Sequence, residues 1–418
     1  MREMKDSGME WIGEIPVDWE LSKIGSVYDE RNEKVSDKDF APLSVTKQGI
    51  VPQLETAAKT DNGDNRKLIR KNDFVINSRS DRRGSCGISE YEGSCSLINI
   101  VLKPQTNVCN RYYGFVFKSD SFADEYYRWG HGIVDDLWST KWTDMKSIYI
   151  PVPDIVEQEK IADYLDAKCS KIDGIIEKQQ AIIEKLREFK LAKITEIVTR
   201  GLEKRVELKE INVEWVGQIP KSWKLCHIGM LAEIGSGGTP DRKKRDYWDG
   251  EIPWMASGEI NYEYVYDTVE KITELGMNNS NTKILPINTV MLGLIGQGKT
   301  KGMTAILKIE STCNQNLAYL IPNKELLHYE YLFYCFKAMY IYMRGIVGES
   351  QAGIYQGFLK KQYIPLPPID TQIKISELLN SICSKVNRSI QNREQIIEEL
   401  NEYKKSLIYE VVTGKKEV

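Results

Sequence analysis

Two stretches of the chain carry the same apolar stripe. Asp154, with Glu157 three residues on, fits a capping box just after "PVP", and from there to Thr199 no glycine or proline but Gly174 interrupts the run. Apolar residues recur at Leu165, Ile172, Ile176, Ile183, Leu186 and Ile197, and in a second run at Leu379, Val386, Ile390, Ile397, Leu400 and Val411. Steps of three and four, with sevens recurring, predict long helices with a narrow coiled-coil seam rather than a broad globular face. Such a stripe needs a partner helix to bury it. The stretches between, 28–148 and 232–362, break instead into short β-like runs with turn residues between them: "DFVIN" and "SLINIVL" in one, "TVMLGLI" and "TAILKI" in the other.

The matching stripes belong to a larger internal repeat. Residues 9–27 share nine of nineteen positions with 213–231, including Trp11 and Trp215, Gly13 and Gly217, Pro16 and Pro220, and Trp19 and Trp223. Residues 149–199 share 23 of 51 positions with 363–413, and even polar interruptions of the seam coincide, Gln179 with Arg393 and Lys190 with Lys404. The blocks between show little identity. A helix of about 40 residues carries the chain about 60 Å from where it started. The second helix begins from that distant place, so it buries its stripe at once by running back along the first. The expected fold class is α+β: two globular domains of mixed α/β character joined by two long antiparallel coiled-coil helices, with the halves related by an approximate twofold. The expected segments are 1–150, a helix at 151–201, a linker and second domain at 202–366, and a helix at 367–418.

Composition narrows the function. The chain has 418 residues, 41% hydrophobic and 28% charged, with no long uncharged apolar run, so no membrane association is expected. Its opening residues lack an apolar core before a small-residue cleavage site, so the expected location is cytoplasmic. Eight cysteines form no C-x-x-C pair and read as reduced packing residues rather than a zinc site. The three histidines, His131, His227 and His328, are isolated from any nucleophile pattern, and no methyl-donor motif appears. No catalytic residue and no metal site are expected.

One motif argues for chemistry. "GLIGQGKT", residues 293–300, fits the phosphate-loop pattern G-x-x-x-x-G-K-[ST]. That loop works only between a strand and a helix, and here the β-branched "TAILKI" follows. The better reading is a basic turn between two strands.

The net charge of −3 and pI near 5.9 do not advertise a nucleic-acid binder, yet residues 66–83 carry seven Lys or Arg against two Asp. Lys299 and Lys301 occupy the place in the second half that Arg79, Arg82 and Arg83 hold in the first. Cations on glycine-rich turns suit a phosphate backbone, while Gln297 or Arg79 suits base edges. The candidate DNA-binding residues are therefore Lys47, Gln48, Arg79, Ser80, Arg82, Arg83, Trp138 and Lys141 in the first half. In the second they are Thr239, Arg242, Lys243, Lys244, Ser257, Gln297, Lys299, Lys301, Tyr355 and Gln356. For any one of them, simple surface solvation is the competing explanation.

The paired entries "EWIGEIPVDW" and "EWVGQIPKSW", the paired helix starts "IPVPDIVEQEKIA" and "IPLPPIDTQIKIS", and "GGTPDRKKRDYWDGEIPWMASGEI" resemble the specificity subunit of type I restriction-modification enzymes. The resemblance covers essentially the whole chain. It implies two target recognition domains, each reading one half of a split asymmetric DNA sequence, with the helices as a spacer. It also implies two modification subunits that methylate adenine with S-adenosylmethionine, and motor subunits that use ATP and magnesium to restrict unmodified DNA. No cofactor is expected in this chain. A scaffold or regulator sharing the fold is the alternative.

Overall fold

The computed structural model describes residues 2–54, 63–132, 138–203, 205–295, 300–347 and 354–418. The chain forms two compact units, one made of 1–179 with 394–418 and the other of 180–393. The boundary falls inside both long helices, Ile155–Arg200 and Ile369–Val412.

The first unit is built on an antiparallel sheet of β1 (Tyr28–Glu30), β4 (Phe74–Asn77), β5 (Cys86–Ile88) and β6 (Asn99–Pro104), in the order β5-β4-β6-β1. A hairpin of β2 (Leu43–Thr46) and β3 (Gly49–Pro52) packs beside it. Helix α1 (Asn110–Lys118) covers one face, and its Tyr112, Tyr113 and Phe117 fill the core together with Phe74 and Tyr28. Within this unit the start of the first long helix (Ile161, Ala162, Leu165, Ile172) shares that core with the end of the second (Leu407, Val411, Val412). Lys404 Nζ meets the Asp173 carboxylate at 2.7 Å.

The second unit repeats this plan. Strands β7 (Ala232–Ser236), β8 (Val290–Gly293), β9 (Thr304–Leu307) and β10 (Leu317–Pro322) lie in the order β9-β8-β10-β7, with Tyr264–Val265 added parallel to β9. Helix α2 (Tyr329–Val347) takes the place of α1. The end of the first long helix (Ile194, Ile197, Val198) shares a core with the start of the second (Ile375, Leu379, Cys383), and Lys190 Nζ donates to Asn387 Oδ1 at 2.8 Å. In each unit a helix start packs on a helix end, so the paired segments run antiparallel, as the matched stripes require.

Leu165, Ile172, Ile183, Leu379, Val386 and Ile390 are buried, while Ile176, Leu186, Ile397 and Leu400 are half-buried. Asp154 caps the first long helix, its Oδ1 accepting from Glu157 N at 2.9 Å. The cysteines of the described residues are free and, apart from Cys226, buried; burial pushes the Cys95 thiol up to about 11.

Contacts within each unit explain why entry and helix blocks repeat together. The first long helix ends at Gly201, with φ of +81°, against the Trp223 ring; the second ends at Gly414, with φ of +73°, against Pro16 and Trp19. A buried tyrosine from each otherwise dissimilar block completes the joint: Tyr112 donates to Val412 O at 2.9 Å, and Tyr331 to Val198 O at 3.1 Å and Pro365 O at 2.9 Å. Val198 and Val412 are repeat mates, so the blocks with little identity still obey the repeat where they touch it. Tyr331→Phe leaves two buried carbonyls without this donor and should cost about 1–2 kcal/mol of stability in a denaturant titration. An unchanged midpoint would show that the hydroxyl bridge contributes nothing.

Candidate nucleic-acid interface

In each unit the candidate loops gather at one end of the sheet. Strands β4 and β8 end there, at Asn77 and Gly293, opposite the starts of β6 and β10 at Asn99 and Leu317. The β4–β5 and β8–β9 connections, residues 78–85 and 294–303, are thus equivalent, and both join antiparallel neighbours. Strand β9 follows "GLIGQGKT" where a phosphate loop requires a helix, so the nucleotide reading has no structural basis. Gln297 and Lys299 lie outside the described residues.

In the first unit Arg79, Arg82 and Arg83 are exposed around a short 3-10 turn, Ser80–Arg82, with Ser80 half-buried. The segment after residue 137 docks on this loop, some sixty positions away in sequence. Thr140 N donates to Ser78 O at 3.0 Å, Ser80 N to Trp138 O at 3.1 Å, and Arg79 pairs with Ser139. Trp138 and Lys141 therefore stand beside the arginines. The Trp138 indole is committed inward, its Nε1 donating to Tyr127 O at 2.9 Å with the ring against Gly130, so it props the loop and leaves its one donor occupied. Arg83 pairs with Asp124 and lies 5.9 Å from the Tyr127 ring, leaving Arg79 and Lys141 more open. Lys47 and Gln48 are exposed at the β2–β3 tip, where Gly49 takes φ of +123°. Across the hairpin, Gly87 of β5 allows backbone contact with Gly49.

In the second unit Ile354 N donates to Leu294 O at 2.8 Å, and Gln356 Nε2 to Ser236 Oγ at 3.0 Å. The segment from Ile354 through Tyr355 and Gln356 thus occupies the place of Trp138–Lys141, as its position before the last strand predicts. Tyr355 is 68% exposed and open for stacking. Ser257 is half-buried at the start of a 3-10 turn, Ser257–Asn261, held by Glu259, whose carboxylate accepts from Ala256 N and Val269 N.

Lys301 departs from expectation. The sequence places it on a basic turn with the candidate phosphate contacts, but it is 7% exposed. Gly302, with φ of +81°, folds the turn back so that its N donates to Gly293 O at 2.9 Å, and the turn packs against Tyr340 and Met343 of α2. Loop and helix together bury the side chain, which removes it as an open phosphate contact.

The "RKKR" run at 242–245 divides by environment. Arg242 lies 3.8 Å from the Trp248 ring centroid and 4.9 Å from that of Trp254, and pairs with Glu270. Its guanidinium holds the Glu270 carboxyl below the usual carboxylate range. Lys244 donates to Tyr247 Oη at 3.0 Å. All four are exposed, but those two are bonded within the turn, whereas Lys243 and Arg245 make no side-chain hydrogen bond or ion pair among the described residues. Thr239 bonds to Gln315, a residue that sequence reasoning passed over because only strand alignment reveals its place: two positions before β10, where Leu97 stands before β6.

Comparison with known proteins agrees with this layout. The family model described as type I restriction modification DNA specificity domain matches twice, over residues 16–185 and 220–402. The MjaIX specificity subunit of Methanocaldococcus jannaschii is 34% identical over 201 residues, 46% of this chain and 44% of that one. The EcoR124I/EcoR124II specificity subunit of Escherichia coli is 27% identical over 276 residues, 62% of each chain. Those two alignments thus span less than two thirds of the relatives' own length. The putative MjaX specificity subunit of M. jannaschii aligns over 97% of this chain and 95% of its own at 23% identity. Among solved structures, a chain described under complex assembly and conformational transition of the type I R-M system has the same fold, with a TM-score of 0.75 over 96% of this chain and 99% of that one at 14% identity. The HsdS subunit from Thermoanaerobacter tengcongensis gives 0.54 over 96% and 98% at 15% identity. With both halves matched and both sheets built to one plan, the chain belongs to the type I restriction-modification DNA specificity family, as a specificity subunit.

Proposed function

We propose that this subunit recognises a bipartite, asymmetric DNA sequence, each unit reading one half through the loops at the end of its sheet. The observation that carries this reading is the pairing of one strand order and register in both units with different side chains on the equivalent loops. A common frame with divergent tips is what two readers of different sequences need. The chain itself is non-catalytic. Two modification subunits dock on the repeated helices and methylate adenine with S-adenosylmethionine, and motor subunits supply ATP- and magnesium-dependent restriction. The site of action is the prokaryotic cytoplasm. Among the described residues no helix is long and apolar enough to cross a membrane.

The long helices act as the spacer. Four residues add about 6 Å and slightly more than one helical turn, so an insertion of four keeps the seam facing its partner. Matched insertions after Gln179 and Arg393 should lengthen the gap between half-sites by about two base pairs, at 3.4 Å each, and leave their letters unchanged. Methylation mapping of DNA from cells carrying the complex measures both. An unaltered gap would overturn the spacer role, and methylation without any sequence preference would overturn the whole reading.

A further inference from the structure

Beside the basic turn of the second unit lies a polar cleft of about 360 Å³, lined by Gly237, Gly238, Thr239, Asn281 and Gln315 among others. Three loops meet in it because two glycines let their backbones touch. A Cβ on Gly237 would fall 1.9 Å from Cys313 O, and one on Gly238 would fall 2.9 Å from Thr282 N. The floor is buried and fully bonded: Cys313 O accepts from Gly238 N at 2.9 Å and Thr282 Oγ1 at 3.0 Å, and Trp254 Nε1 donates to Gly238 O at 2.9 Å. The rim is exposed and carries amides, Asn281 and Gln315. A rigid floor under a rim of primary amides suits the edge of a nucleobase, whose donors and acceptors an amide matches in pairs.

Resting on the DNA reading above, we infer that Gln315 is a specificity-determining residue that reads an adenine in the half-site recognised by the second unit. The Thr239 hydroxyl donates to Gln315 Oε1 and holds the amide in place; Thr239 is a positioning residue. Oε1 keeps a second lone pair for the adenine N6 amino group, and Nε2 has no partner among the described residues and is placed to donate to N7. Lys243 and Arg245, projecting from the turn that Arg242 anchors between two tryptophans, hold the neighbouring phosphates. The equivalent position in the first unit is Leu97, 39% exposed, beside Ile98, 37% exposed. Apolar side chains there suit a thymine methyl group. One corner of a shared frame thus carries an amide in one reader and aliphatic carbon in the other, which makes the two half-sites differ.

The test uses the full-length chain assembled with its modification subunits and duplexes carrying the methylation-mapped site, with each base pair substituted in turn. Gln315→Ala should reduce discrimination at one A·T pair of one half-site by roughly ten- to a hundredfold, leaving the other half-site unchanged. Gln315→Glu should shift preference at that pair toward cytosine, whose N4 a carboxylate accepts. Thr239→Val should weaken discrimination at the same pair. Lys243→Ala, by contrast, should weaken all duplexes alike and lower the salt slope by about one. The assignment is overturned if Gln315→Ala leaves every preference intact, weakens all sequences uniformly as Lys243→Ala does, or alters a G·C pair. A wild-type complex with no sequence preference would instead overturn the DNA reading itself, and this inference with it.

Discussion

Leu165→Ala should lower the stability of the first unit by about 2–5 kcal/mol, and Leu379→Ala should do the same to the second. Both leucines are fully buried, each in the core cluster that joins one helix start to one helix end. Truncation removes three buried carbons and leaves a cavity between elements that cannot close on it without breaking the seam's register. Ile175 offers the contrast, being equally apolar and only three residues from Ile172, yet 44% exposed. Its replacement by alanine should stay within about 0.5 kcal/mol. Denaturant unfolding of the three variants decides the matter. Equal losses at Ile175 and Leu165 would mean that the stripe is not the load shared by the helices.

Gly237→Ala is expected to cost about 3 kcal/mol and to abolish recognition by the second unit. The added methyl would fall on the Cys313 carbonyl, which already accepts two hydrogen bonds. Overpacking costs about 1–3 kcal/mol, and each bond broken to make room adds about 1 kcal/mol. Because the displaced loops carry Thr239, Asn281 and Gln315, the half-site read by the first unit should survive while the other is lost. A Gly237→Ala chain with native stability and both half-sites intact would show that the three loops do not depend on this approach.

Much of the architecture is legible in the sequence, because it rests on periodicity and repetition. The spacing of Leu165, Ile172 and Ile183, and of their mates Leu379, Val386 and Ile397, demands a narrow buried stripe whatever surrounds it. Asp154 capped its helix where the spacing to Glu157 put it, and β8 and β9 paired as the turn between them predicted. The repeat also tells which loops are equivalent, since Trp138–Lys141 and Tyr355–Gln356 each lie just before the strand that leads into a long helix.

Individual side chains in the candidate site were much less legible. Composition counts a lysine as a surface cation, but Lys301 is buried because a left-handed glycine turns its loop onto α2. The four basic residues of 242–245 are adjacent in sequence, yet two tryptophans and Glu270 take Arg242, and Tyr247 takes Lys244. Gln315 carried no local signal, since its significance comes from Thr239, 76 residues away, and from two glycine contacts with backbone. The sequence by itself therefore determined the duplicated helices, their antiparallel pairing and the absence of a phosphate-loop setting, since short-range spacing dictates each of these. Only the tertiary structure decided which cations are bonded or buried and which amides line the polar cleft, because burial and hydrogen-bond partners come from residues distant along the chain.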